Sequence, residues 1–92
     1  MAQRTAIVKA TSNADFGRRV GIHYTFASRI RNGKRLPSLD TISAIQTEFN
    51  LNDKETSDMI HAAAAGPQAF GDWINEHLFE ESVSPERASQ DA

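Results

Sequence analysis

Glycine and proline cut this chain into short pieces, and that punctuation limits what it can fold into more than any other feature. Gly21, Asn32-Gly33, Pro37 and Gly66-Pro67 fall between segments whose apolar residues recur every three or four positions. Such spacing belongs to helices with one buried face, whereas a half-buried strand needs strict alternation. No two alternating segments occur, so the expected class is all-α. The 92 residues include no cysteine, which excludes disulfide stapling, thiolate nucleophiles and Cys-ligated metals. One small domain held by packing alone is expected, its modest core drawn from the 39% of residues that are apolar.

Residues 4–10 read as a short helix on the spacing of Ala6, Ile7 and Ala10; Val8 and the nearby threonines favour a strand, but a lone strand has no evident partner here. Ser12 or Asn13 caps a second helix that places Asp15 in its first turn and buries Phe16 and Val20 before Gly21. A third follows over residues 23–31, with Phe26, Ala27 and Ile30 facing inward. After the turn at residues 32–37, Ser38 caps a fourth helix striped by Leu39, Ile42, Ile45 and Phe49. Asn52 and Glu55 form a capping-box pair for a fifth over residues 53–65, striped by Met59, Ile60 and Ala63. Residues 68–80 make an amphipathic sixth helix, in which Gly71 costs about 1 kcal/mol against Ala. The polar residues 82–92 are expected to form a flexible tail.

The formal charge of −2 conceals a division. Residues 1–37 hold eight basic side chains and one acid, a net +7, while residues 38–92 hold two basic side chains and eleven acids, a net −9. A basic half attracts polyanions, and an acidic half limits indiscriminate binding; the same charges also serve plain solubility. Two short helices joined at a glycine, the second followed by cations, are an arrangement that can lay one helix in a DNA major groove while the other braces it.

Phe16-Gly17, Val20, Gly21, Ile22, Ala27, Ile30 and the ending Gly33-Lys34-Arg35-Leu36-Pro37-Ser38 with Leu39 and Ile42 resemble the helix-turn-helix region of the lambda-type repressor and Cro-like family of phage and bacterial regulators. The likeness spans residues 13–51, and it departs at Gly17, where Ala is usual, and at Arg31, where many relatives carry Glu and where the arginine adds a cation beside the expected phosphate path. It implies a five-helix lambda-repressor-like helix-turn-helix domain over residues 1–66, its motif at about residues 13–32, with an additional C-terminal amphipathic helix over residues 67–81. It also implies sequence-specific binding of double-stranded operator DNA by a transcriptional regulator, a phage repressor or Cro-like protein; with neither a membrane-spanning run nor a secretory signal pattern in view, the expected location is the cytoplasm, of a bacterial host if phage-encoded. The alternative is the DNA-binding antitoxin of a toxin–antitoxin pair, whose acidic half would cover a toxin.

The outward positions of the third helix, His23, Tyr24, Thr25, Ser28 and Arg29, are the candidates for base contacts. Arg29 can donate two bonds to guanine, and the Thr25 methyl can meet a thymine methyl. Tyr24 suits a base, a phosphate or simple packing. Arg18, Arg19, Asn32, Lys34 and Arg35 are candidates for phosphate, and the resemblance adds Asn13 at the helix start. Phe26 reads as core rather than as a wedge between bases.

His23, His61 and His77 lack ligand spacing, and neither a phosphate-binding glycine loop nor a nucleophile–base pair is visible, so no metal, cofactor, catalysis or membrane segment is expected. Phe70, Trp73, Ile74 and Leu78 form an apolar stripe near the chain's end. It serves the core, a homodimer seam on a two-fold operator, or a different protein partner.

Overall fold

The computed structural model describes residues 7–80 and residue 83. Among these the protein is an all-α bundle of five helices: α1 (Asn13–Val20), α2 (Tyr24–Arg31), α3 (Leu39–Glu48), α4 (Asp53–Ala65) and α5 (Pro67–Leu78). Local chemistry sets their starts. Ser12 Oγ accepts from the Asp15 amide at 2.9 Å, Ser38 Oγ from the Thr41 amide, and Asn52 and Glu55 complete the reciprocal box of α4. Gly21, at φ 83°, closes α1 in a left-handed conformation that costs glycine nothing, and the chain turns into α2. The α1–turn–α2 unit is compatible with a helix-turn-helix fold.

The core joins both ends of the chain. Phe16 of α1 lies between Phe49, at the end of α3, and Phe79, just beyond α5, with ring centroids 5.7 and 5.2 Å away. Phe70, Trp73, Ile74 and Leu78 of α5 are buried in the same cluster. The stripe is thus core within one chain, the first of the three roles open to it in the sequence, its side chains covered where α5 packs on α2 and α4. α5 also abuts the end of α2 closely enough to explain Gly71. A Cβ there would stand 2.5 Å from the Ile30 carbonyl oxygen, so the residue that weakens α5 in isolation permits its docking. Gly17 is equally constrained, since a Cβ would meet the Ile22 carbonyl oxygen at 2.4 Å; the Ala usual in the resembling family has no room here.

Three expectations need correction. Residues 7–10 are not helical, and residues 4–6 lie outside the described part; Ala10 instead forms an isolated parallel bridge to Phe79, its amide donating to the Leu78 carbonyl at 2.8 Å. The strand partner that the sequence hid is the end of α5. Leu39 and Ile60, assigned to inward stripes, are 80% and 50% exposed, because they begin or flank helices that leave a groove between them. The last helix ends at Leu78 rather than at residue 80, where Phe79 turns extended to reach the core. The proposed tail lies outside the described residues except for Val83, which packs against the core.

Candidate nucleic-acid interface

α2 has two faces with opposite chemistry. Outward, His23, Thr25 and Arg29 are exposed, and Tyr24, Phe26 and Ser28 are partly so. His23 is the cap of α2: its Nδ1 accepts from the Thr25 amide at 3.2 Å and lies 2.8 Å from the Thr25 hydroxyl, while its ring tilts against Tyr24 at 4.5 Å. An imidazole turned back onto its own helix is a scaffold for Thr25 and Tyr24 before it is a reader of bases. Asn32 likewise donates its amide nitrogen to Ser28, at 2.9 Å to the carbonyl and 3.3 Å to the hydroxyl, and so closes the helix end.

The cations divide sharply. Among the described residues Arg29, Lys34 and Arg35 are exposed and form no ion pair. A turn of α2 carries the first, and the Lys34 amide, bonded to the Arg29 carbonyl at 2.9 Å, holds the next two beside it. Arg35 lies over the Phe26 ring, 5.4 Å from its centroid, and together with Thr25 and Arg29 these side chains enclose an open cleft of about 280 Å³. Arg18 is exposed but pairs with Asp15 at 3.0 Å.

Two of the expected phosphate contacts are spent inside the fold. Arg19 reaches Glu48 at 3.2 Å and Asp15 at 3.7 Å, and its guanidinium covers the Phe49 ring at 4.2 Å, tying α1 to the end of α3. Asn13 is wholly buried, its side-chain oxygen accepting from Arg31 Nη1 at 2.6 Å. A side chain sealed in the interior cannot meet a phosphate without unfolding its surroundings, which withdraws Asn13 from the outer surface, while the charge of the partly exposed Arg19 is taken up by its two carboxylates.

Arg31 is the residue that sequence reasoning placed wrongly. It was expected beside a phosphate path, yet it is 3% exposed and acts as a lock. Its Nε donates to Asn75 Oδ1 and its Nη1 to Asn13 Oδ1, both at 2.6 Å, and its Nη2 donates to the Val83 carbonyl. Its guanidinium stacks 3.5 Å from the Phe79 centroid, and Asn75 Nδ2 returns a bond to the Arg31 carbonyl at 2.9 Å. The signal was available: Arg31 falls four residues after Ala27 and one after Ile30, on the inward stripe of α2.

A second surface is apolar. Leu36, Pro37, Leu39, Ile42, Ile60 and Ala63 line a groove of about 540 Å³ between α3 and α4, beginning immediately after the Lys34-Arg35 pair. Along α4, Asp58 pairs with Lys54 at 3.0 Å. Among the described residues no group of three or more His, Cys, Asp or Glu is placed to hold a metal, and no helix is long and apolar enough to cross a membrane. No family model, curated protein or solved structure matches the chain.

Proposed function

We propose that this protein is a sequence-specific double-stranded DNA-binding regulator of transcription, a repressor of the lambda-type and Cro-like kind, acting in the cytoplasm without cofactor or catalysis. In this reading residues 13–32 are the helix-turn-helix motif and α2 enters the major groove. The observation that carries it is the grouping of Arg29, Lys34 and Arg35: Arg19 and Arg31 are turned inward, Arg18 and Lys54 are paired and Lys9 stands by itself ahead of α1, whereas these three are exposed and without an ion pair on and just after one short helix. Arg29 reads guanine by two parallel bonds, the Thr25 methyl and Ser28 contribute small contacts, and Lys34 and Arg35 hold phosphates.

An eight-residue helix, about 12 Å long, reads only a short half-site, so two copies on a two-fold operator, with helices roughly 34 Å apart, fit the reading best. The α5 stripe is buried in the core of one chain. The α3–α4 groove is the apolar surface left for a second copy, and its three exposed large side chains, Leu36, Leu39 and Ile60, fall well short of the roughly 800 Å² per partner of a stable interface. Pairing is therefore weak in solution and completed on DNA.

The test is selection of binding sites from random duplexes by the full chain, followed by binding isotherms on the selected and scrambled DNA at several salt concentrations. The expected result is a two-fold sequence, with affinity falling steeply as salt rises. Arg29→Ala shifts base preference at one position by roughly 1 to 3 kcal/mol of discrimination. Failure to enrich any sequence overturns the reading, and a stable complex with a small unrelated protein in place of pairing on DNA favours an antitoxin.

A further inference from the structure

The cleft beside α2 combines features that a phosphate contact does not need. One wall is the half-buried Phe26 ring, whose face carries negative potential and already holds the Arg35 guanidinium 5.4 Å from its centroid. An anion pressed on that face would be repelled by the ring. The Thr25 hydroxyl is engaged with His23 Nδ1 at 2.8 Å, which leaves the methyl group as the part of this cleft-lining residue free for an apolar contact. The remaining wall is Arg29, exposed and without an ion pair among the described residues. An apolar floor is thus set between one arginine that can take a base edge and another that can take the strand's phosphate.

In the DNA major groove, one apolar group projects from the bases: the C5 methyl of thymine, shared by 5-methylcytosine. On a pyrimidine–guanine step that methyl lies beside the O6 and N7 of the next guanine, the two acceptors that suit a bidentate arginine. We infer that the Thr25–Phe26–Arg29–Arg35 cleft reads a pyrimidine C5 methyl and, with Arg29 on the adjoining guanine, selects 5′-TG-3′ over 5′-CG-3′. Arg35 spans the ring and holds the phosphate of that strand. The volume of about 280 Å³ exceeds a methyl group, and it admits the edge of the pyrimidine with the water that hydrates it. The inference rests on the DNA-binding reading and sharpens it, since it assigns the apolar half of the contact to a defined chemical group.

Deoxyuridine in place of thymine removes this methyl and no hydrogen-bonding group. In the sites selected by the full chain, each thymine is replaced singly by deoxyuridine and the affinity measured. At one thymine per half-site, immediately 5′ to guanine, affinity is expected to fall about fourfold, the worth of one buried carbon group. Cytosine at that place restores the affinity only when methylated at C5. Thr25→Ser keeps the hydroxyl cap and loses the methyl, so it binds with the thymine–uracil difference largely gone; Phe26→Leu, checked for native stability, narrows it too. The inference is overturned if no position distinguishes thymine from uracil, or if the difference survives both substitutions. A protein that selects a sequence yet ignores the methyl loses this inference alone, whereas one that selects no sequence loses the DNA-binding reading with it.

Discussion

Arg29 and Arg31 stand two residues apart on the same short helix and have opposite fates. Arg29 is exposed and unpaired among the described residues; Arg31 is buried, reaching Asn13, Asn75 and the Val83 carbonyl while stacking on Phe79. Two steps along a helix turn a side chain by about 200°, so one faces solvent and the other the interior. Net charge in the basic half consequently overstates what a polyanion meets. Arg31 and most of Arg19 are structural, the exposed Arg18 is paired with Asp15, and beside the isolated Lys9 the described cations that remain are grouped at the end of α2 and in the turn after it.

The contrast predicts that stability and DNA recognition come apart by substitution. The largest loss of stability is expected for Arg31→Ala, about 4 kcal/mol, because the buried Asn13, the partly buried Asn75 and a carbonyl lose a charged donor together. Urea denaturation of the full chain measures it, and Arg31→Lys recovers little, since one ammonium cannot reproduce the planar fork. A loss under 1 kcal/mol would show that the lock is not what fixes α2 to α5. Gly71→Ala is next at about 2 kcal/mol: the gain in helix propensity is outweighed by a Cβ driven against the Ile30 carbonyl oxygen.

Arg19→Ala is expected to cost about 1 kcal/mol, through the lost cover on Phe49 and the partly exposed pair with Glu48. Arg29→Ala, and Lys34→Ala with Arg35→Ala, sit at the small end, with denaturation midpoints unchanged within error. Their effect appears instead on DNA: the double variant weakens selected and scrambled duplexes alike, lowering the salt slope by about 1.8 in log–log terms. An unchanged slope would remove both from the phosphate contacts. Should Arg29→Ala destabilise the fold as much as Arg31→Ala, the division of α2 into two faces is wrong.

The helices were readable because their signals are local. Ser12, Ser38 and the Asn52–Glu55 box fixed three starts, and Gly21 and Gly66-Pro67 fixed two ends, each through bonds or backbone angles within a few residues. What was hidden depends on residues far apart in the chain. The bridge of Ala10 to Phe79 needs the end of α5 to pass the N-terminal segment, which no periodicity reveals. Arg31 was misassigned because a cation in the last turn of a helix that ends in a basic turn ordinarily faces outward, and its partners Asn75 and Val83 lie 44 and 52 residues on. Leu39 illustrates the converse: its register on the apolar stripe was right, but a stripe position in the first turn of α3 finds nothing packed against it.

Those long separations also bear on kinetics. The α1–α2 unit closes through neighbouring residues, while Arg31 completes its bonds only when α5 and the segment beyond it have come home. Contacts that span about half of the chain carry a large loop-closure cost and are expected to form after the rate-limiting step. Removing them should then leave refolding nearly as fast as before and appear mainly as faster unfolding, which stopped-flow measurements on Arg31→Ala resolve. In a chain with no disulfide to delay its opening, a single guanidinium governs how long each molecule stays closed.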